Sequence, residues 1–185
     1  MDACPAPPDP ALRTLLDAIW QRLARATHDR AAGWRHPALA SVDETGAPRV
    51  RTLVLRGADP AAPALVLHTD ARSAKAAEIA HQARVALVFW DPAIGTQLRI
   101  EGEAAIIADP ATFATLPPPA RRLYAVDPAP GTPIEAPGAF GETDPARCFR
   151  VLRVVPRRLE WLDISLPHRR ARFDLAGGRA CWLVP

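Results

Sequence analysis

Lysine is all but absent from this chain: of its 23 basic residues, 22 are arginine and the exception is Lys75. Against such a bias, a compact ammonium at position 75 suggests a place where a planar guanidinium does not serve. No apolar run approaches the ~20 residues that span a bilayer, and Met1–Pro10 lacks the basic-then-apolar order of a signal peptide. No membrane association and a cytoplasmic location are therefore expected. The three cysteines, Cys4, Cys148 and Cys181, are odd in number and contain no CxxC, which predicts neither a disulfide framework nor a zinc site. The five histidines show no metal-ligand spacing, so no metal is expected. GxGxxG and GxxxxGK[ST] are both missing, which leaves no Rossmann or P-loop reading. A net charge of +3, with arginines scattered among apolar and acidic residues, argues against nucleic acid.

The 185 residues fit one globular domain, with 49% of them apolar and a mean hydropathy near zero. Residues 1–9 are expected to be a tail and 10–185 a single domain. Asp9 and Pro10 form a helix start, and Leu12, Leu15, Leu16, Ile19 and Leu23 repeat at helical spacing, predicting a helix over about 10–28. Strands are predicted at 38–42, 48–56, 64–69, 85–90 and 97–107, the last interrupted by Gly102 as at a bulge. A short helix over 73–82 and a helical piece over 110–124 are inserted. The Pro/Gly-rich stretch 127–145 is expected to be an irregular loop. Strands follow at 147–155, 158–164, 170–175 and 179–184. Short strands with few helical crossovers predict a mainly β fold, a small antiparallel barrel with flanking helices.

Three constellations carry chemistry. Arg51-Thr52-Leu53-Val54-Leu55-Arg56 lies on an extended strand. Thr69-Asp70-Ala71-Arg72-Ser73-Ala74-Lys75 runs from a strand into a helix start. Gln97-Leu98-Arg99 opens another strand. The first amides of a helix lack partners and favour an anion, so Ser73 and the start of the 73–82 helix form a candidate phosphate site. Arg51 and Lys75 supply cations, and the Thr69 and Ser73 hydroxyls supply donors. Gln97, both donor and acceptor, suits the uracil-like edge of a flavin, and Arg172 or Arg99 would stabilise negative charge on a reduced ring.

The stretch from Arg51 to Gln97 resembles the FMN-binding half of pyridoxamine 5′-phosphate oxidase. Thr-Asp-x-Arg-Ser-x-Lys and Gln-x-Arg-Ile-x-Gly, with Arg169-Arg170-x-Arg172-Phe173 and Trp182 near the end, resemble still more closely the related Alr4036-type FMN-binding family. That resemblance covers about 38–185. It implies a six-stranded antiparallel Greek-key split barrel, a homodimer, and FMN in the crevice between subunits. By the same resemblance, Arg51, Ser73 and Lys75 are expected at the FMN phosphate, and Thr52, Leu53, Val54, His68, Thr69 and Gln97 at its ring and ribityl chain. Arg172 matches a flavin-contacting arginine. Where the family has a second phosphate arginine this chain has Ala74, and Arg72 is expected to substitute. Arg56, His168 and Arg170 match substrate-binding positions, but the oxidase's Arg-x-His is reversed here to His168-x-Arg170. A flavin-contacting Trp is replaced by Leu162, and the oxidase's substrate segment has no counterpart between 110 and 146. The expectation is an FMN-dependent oxidoreductase of a small molecule, with a genuine pyridoxamine 5′-phosphate oxidase, or a flavin- or haem-binding barrel without turnover, as alternatives.

Overall fold

The computed structural model describes residue 4 and residues 6–185. Helix α1 (Pro10–His28) begins as expected: the Asp9 side chain accepts a 2.8 Å hydrogen bond from the Leu12 amide, with Pro10 at the first position. It buries Leu12, Ile19, Trp20 and Leu23 against the barrel. The strands are β1 (Ala38–Val42), β2 (Pro48–Thr52), β3 (Leu55–Asp59), β4 (Ala64–Asp70), β5 (Arg84–Asp91) and β6 (Thr96–Ile107), with α2 (Ala74–His81) between β4 and β5. After α3 (Pro110–Thr115) and α4 (Pro118–Arg122) come the two-residue strands β7 (Val126–Asp127) and β8 (Gly141–Glu142), then α5 (Pro145–Cys148). Strands β9 (Phe149–Asp163), β10 (Arg169–Asp174) and β11 (Arg179–Leu183) complete the chain.

The fold is a mainly β antiparallel split barrel. Nine strands form one sheet in the order β11-β10-β9-β6-β5-β1-β2, with β4 joined to β9 and β3 to β4. Rows of directly paired residues share a face. Leu39, Leu87, Leu98, Ile100, Leu152 and Leu159 point inward and are fully buried. Gln97, Arg99 and Glu101 point outward.

Local chemistry explains where the elements differ from the sequence reading. The single strand expected over 48–56 breaks at Leu53-Val54, where the Leu53 amide turns to the Pro37 carbonyl at 2.9 Å and the chain leaves β1 for β4. Pro156 does not end a strand. The register slips between Glu101 and Gly102, so Pro156 sits at a bulge opposite Gly102 and β9 continues for 15 residues. A Cβ at Gly102 would collide with the Val155 carbonyl oxygen, which accounts for glycine there. The 110–124 helix divides at Leu116-Pro117, and the loop at 127–145 contains the small β7–β8 pair.

The cysteine reading is corrected. Cys4 and Cys181 form a disulfide across 177 positions, with their Cα atoms 5.4 Å apart. At its described residues the expected tail is therefore docked, residues 1–3 and 5 lying outside them: Ala6 bridges Ala180, and the Cys4 amide donates to Asp174 Oδ2 at 3.1 Å. Cys148 is the free, buried thiol, and burial pushes its pKa up. Among the described residues, no helix is long and apolar enough to cross a membrane.

Candidate FMN site

The end of β4, the turn after it and the start of α2 form the centre of the site. Thr69 and Ser73 are buried, with their hydroxyl oxygens 3.1 Å apart. Ser73 caps α2 by position, but its hydroxyl donates to the Asp70 carbonyl at 2.8 Å rather than accepting from the helix. The cap thus leaves the first turn's amide dipoles without a side-chain partner. The Lys75 ammonium lies 3.3 Å from Thr69 Oγ1.

Arg51 reaches this region from β2. Its Nη1 donates to Ser41 Oγ, and its Nη2 contacts Glu78 Oε2 at 2.5 Å. Ser41 and Glu78 are themselves buried and hydrogen-bonded to each other. Burial, and next the Arg51 charge, hold the Lys75 pKa below its ordinary value, with Asp70 and Glu78 opposing. Two cations are therefore held near each other in a partly desolvated place beside two hydroxyls and a helix start. A phosphate dianion relieves their repulsion and matches their donors, so these residues fit the phosphate end of FMN.

Arg72 is oriented otherwise. Its Nε and Nη2 make a two-pronged contact with Asp70 at 3.1 and 2.8 Å, and Nη2 also donates to the Val126 carbonyl at 2.8 Å. Its Nη1 lies 3.5 Å from Asp127. The arginine expected to replace a phosphate ligand instead fastens the turn to the strand that opens the 127–145 loop.

The remaining expected residues fall into two further places. His68 faces outward from β4, edge-on to Phe149 at 4.9 Å between ring centres. Its pKa is held down to about 4, first by burial and then by the Arg56 charge, with Asp109 opposing. Arg56 also acts on Tyr124, whose pKa burial raises and Arg56 lowers. Arg56, His68, Asp109 and Tyr124 are thus electrostatic neighbours. Arg121 adds nothing there, because its guanidinium donates to the Leu116 and Ala114 carbonyls. Thr52 is exposed at the end of β2, and Leu53 and Val54 are half-buried at the β2–β3 break.

Gln97, Arg170 and Arg172 occupy the outer face. Gln97 stands between Trp90 and Leu162, and Arg172 stands opposite Glu160. Glu160 gathers Arg99 at 3.1 Å, Arg170 at 2.6 Å and Arg172 at 3.7 Å. His168 is exposed before β10. Arg51 lies on the inward row with Leu39, Leu87 and Ile100, on the opposite face from Gln97. Its strand is three positions from β6, about 14 Å at ordinary strand spacing, and five from β10. One protomer does not bring the two groups together.

The sequence reading missed Ser41, Glu78 and the role of Asp70. Only Asp70 had a local signal, as the acid two positions before Arg72; the others are placed by tertiary contacts. A groove of about 760 Å³ lies beside the β1–β2 turn and the facing ends of β5 and β6, and none of the expected site residues lines it.

The sequence profile for the FMN-binding domain of pyridoxamine 5′-phosphate oxidase matches residues 17–108. A pyridoxine/pyridoxamine 5′-phosphate oxidase of Mesorhizobium japonicum is 32% identical over 143 residues, 68% of each chain. The chain belongs to the pyridoxamine 5′-phosphate oxidase-like FMN-binding superfamily. Its cofactor is FMN. The oxidase of Anaeromyxobacter dehalogenans is 38% identical over 104 residues, 56% of this chain, and the match spans 49% of that relative's length. Among solved structures, a pyridoxamine 5′-phosphate oxidase-related FMN-binding protein of Nostoc punctiforme superposes with a TM-score of 0.76 at 26% identity. That match covers 91% of this chain and 96% of the other. PhzG of Burkholderia lata, solved with tetrahydrophenazine-1-carboxylic acid, shares the fold at a TM-score of 0.70 and 20% identity, over 94% of this chain and 92% of its own.

Proposed function

We propose that the protein is a homodimeric FMN-dependent oxidoreductase acting on a small molecule. The observation that carries this reading is the cluster of Thr69, Ser73 and Lys75 at the start of α2 with Arg51 against the same helix, where burial and that neighbouring cation already depress the Lys75 pKa. These residues hold the FMN phosphate. Thr52, Leu53, Val54 and His68 line the path of the ribityl chain and ring. FMN supplies hydride and electron transfer when bound; the chain's task is to hold it, orient it and exclude water.

Gln97 and Arg172 face away from Arg51, so they serve the flavin held by the other subunit. A twofold dimer brings each outer face against its partner's site. Exposed Val50, Val88 and Trp90, at 72%, 37% and 43%, supply apolar surface on that outer face, next to the groove beside the β1–β2 turn. Sedimentation at micromolar concentration is expected to give a dimer, and a flavin-loaded monomer contradicts this arrangement.

FMN titration tests the phosphate site. Lys75→Ala removes one charge-assisted contact, with an expected loss of about ten- to a hundredfold in affinity. Unchanged affinity removes Lys75 from the site.

A second reading, oxidation of pyridoxamine 5′-phosphate itself, is favoured by the names of the curated relatives and by Arg56 lying near Tyr124. Against it stand the reversed His168-x-Arg170, the engagement of Arg170 by Glu160, and the commitment of Arg121 to main-chain carbonyls. Oxygen-coupled pyridoxal 5′-phosphate formation is expected below a kcat/KM of roughly 10⁴ M⁻¹s⁻¹, and faster turnover establishes the second reading.

A further inference from the structure

Glu78 is a buried carboxylate that FMN chemistry does not itself call for. It lies on α2, three residues after Lys75 and five after Ser73, and its residue is 7% exposed. It accepts from Ser41 on β1 and from Arg51 on β2, so one carboxylate joins the helix carrying Ser73 and Lys75 to the strand carrying Arg51. We propose that Glu78, assisted by Ser41, is a positioning residue for the cofactor phosphate, holding the Arg51 guanidinium against α2 near Lys75. This rests on the reading of Arg51, Ser73 and Lys75 as the phosphate site.

An arginine side chain has many rotamers to lose, and a free one would also swing away from the Lys75 ammonium. Here Nη1 is tied to Ser41 and Nη2 to Glu78, so the fork is fixed on that side before any ligand arrives. The Nε hydrogen and the second hydrogen on each Nη extend beyond those two bonds and are the donors a phosphate would use. The carboxylate also offsets part of the repulsion between Arg51 and Lys75, which lets both cations stay where they are without the ligand. Neither Ser41 nor Glu78 touches the ligand in this scheme. Their effect is confined to the phosphate and does not extend to the ring.

That confinement sets the test. The probes are FMN and riboflavin, which differ only by the phosphate, each titrated by fluorescence quenching into the wild-type protein, Glu78→Ala and Glu78→Gln. Wild type is expected to prefer FMN. Glu78→Ala should reduce that preference at least about tenfold while riboflavin affinity stays within roughly threefold. Glu78→Gln keeps an oxygen for Ser41 and Arg51 and should retain the preference within about threefold. An equal loss for both ligands shows a general structural role and overturns the inference, as does an unchanged or increased preference in Glu78→Ala. Should Glu78→Ala not fold, Ser41→Ala replaces it, with a loss of preference of about three- to tenfold expected and an unchanged preference overturning the inference. A wild-type protein with no preference for FMN refutes the phosphate site and the inference together; a preference kept by all variants refutes only the role of Glu78.

Discussion

His68 makes the stability of the folded chain depend on pH in a calculable way. Its ring is half-buried on β4 against Phe149, and burial, then Arg56, hold its pKa down to about 4 from an ordinary 6.5. Between those values the unfolded chain carries a proton at this position and the folded chain does not. Stability therefore rises with pH across about 4–6.5 and is lost as the pH falls through that window. For one histidine with these two pKa values, linkage gives about 2 kcal/mol of stability lost on going from pH 7 to pH 5. His68→Gln keeps a polar, neutral side chain and removes the titration. Urea unfolding of both proteins at pH 7, 6 and 5 isolates the effect, because the other four histidines contribute equally to each and cancel in the difference. The wild-type protein should lose about 1–2 kcal/mol more than the variant. Equal losses refute the argument, as does a His68 ring titration by NMR with its midpoint at or above 6.5.

Gly102→Ala places a methyl against the Val155 carbonyl at the β6–β9 bulge and should cost roughly 1–3 kcal/mol in chemical denaturation; a neutral result means that the bulge shifts freely. Cys4→Ser opens the longest covalent loop in the protein and should lower stability by about 2–4 kcal/mol, with a matching drop when the wild type is reduced. If reductant changes neither the thermal midpoint nor the reactive-thiol count, the bridge does not form in solution.

The legible parts of the site were local ones. Thr69 to Lys75 lie within a single strand-turn-helix, so residue type and spacing alone placed a cation, two hydroxyls and a helix start together. The helix at Asp9-Pro10 was legible for the same reason. What escaped depends on contacts between distant segments. Glu78 sits at an i,i+3 spacing from Lys75 that reads as an ordinary surface pair, yet β1 and β2 cover it. Arg72 carried a phosphate-like position, but the carbonyl it meets belongs to Val126. Cys4 and Cys181 are joined through a chain end whose sequence gives no sign of docking. Alternation in 48–56 runs unbroken through Leu53-Val54, so the change of partner strand from β1 to β4 is invisible there. The strands expected at 147–155 and 158–164 are one, because only the partner strand's glycine reveals the bulge that accommodates Pro156. The opposite facing of Arg51 and Gln97 needed the register of four strands.

The long strand β9 also governs the order in which the chain can assemble during synthesis. Residues 149–163 pair with β4, β6 and β10, so the β3–β4 ribbon and the β6–β5–β1–β2 ribbon have no hydrogen-bonded strand in common until β9 exists. The first 148 residues therefore make two separate ribbons, each with an open edge where β9 belongs. β9 closes both at once. Until then the chain is exposed to edge-to-edge association, so the interval before β9 docks is the one in which chaperone demand should be greatest.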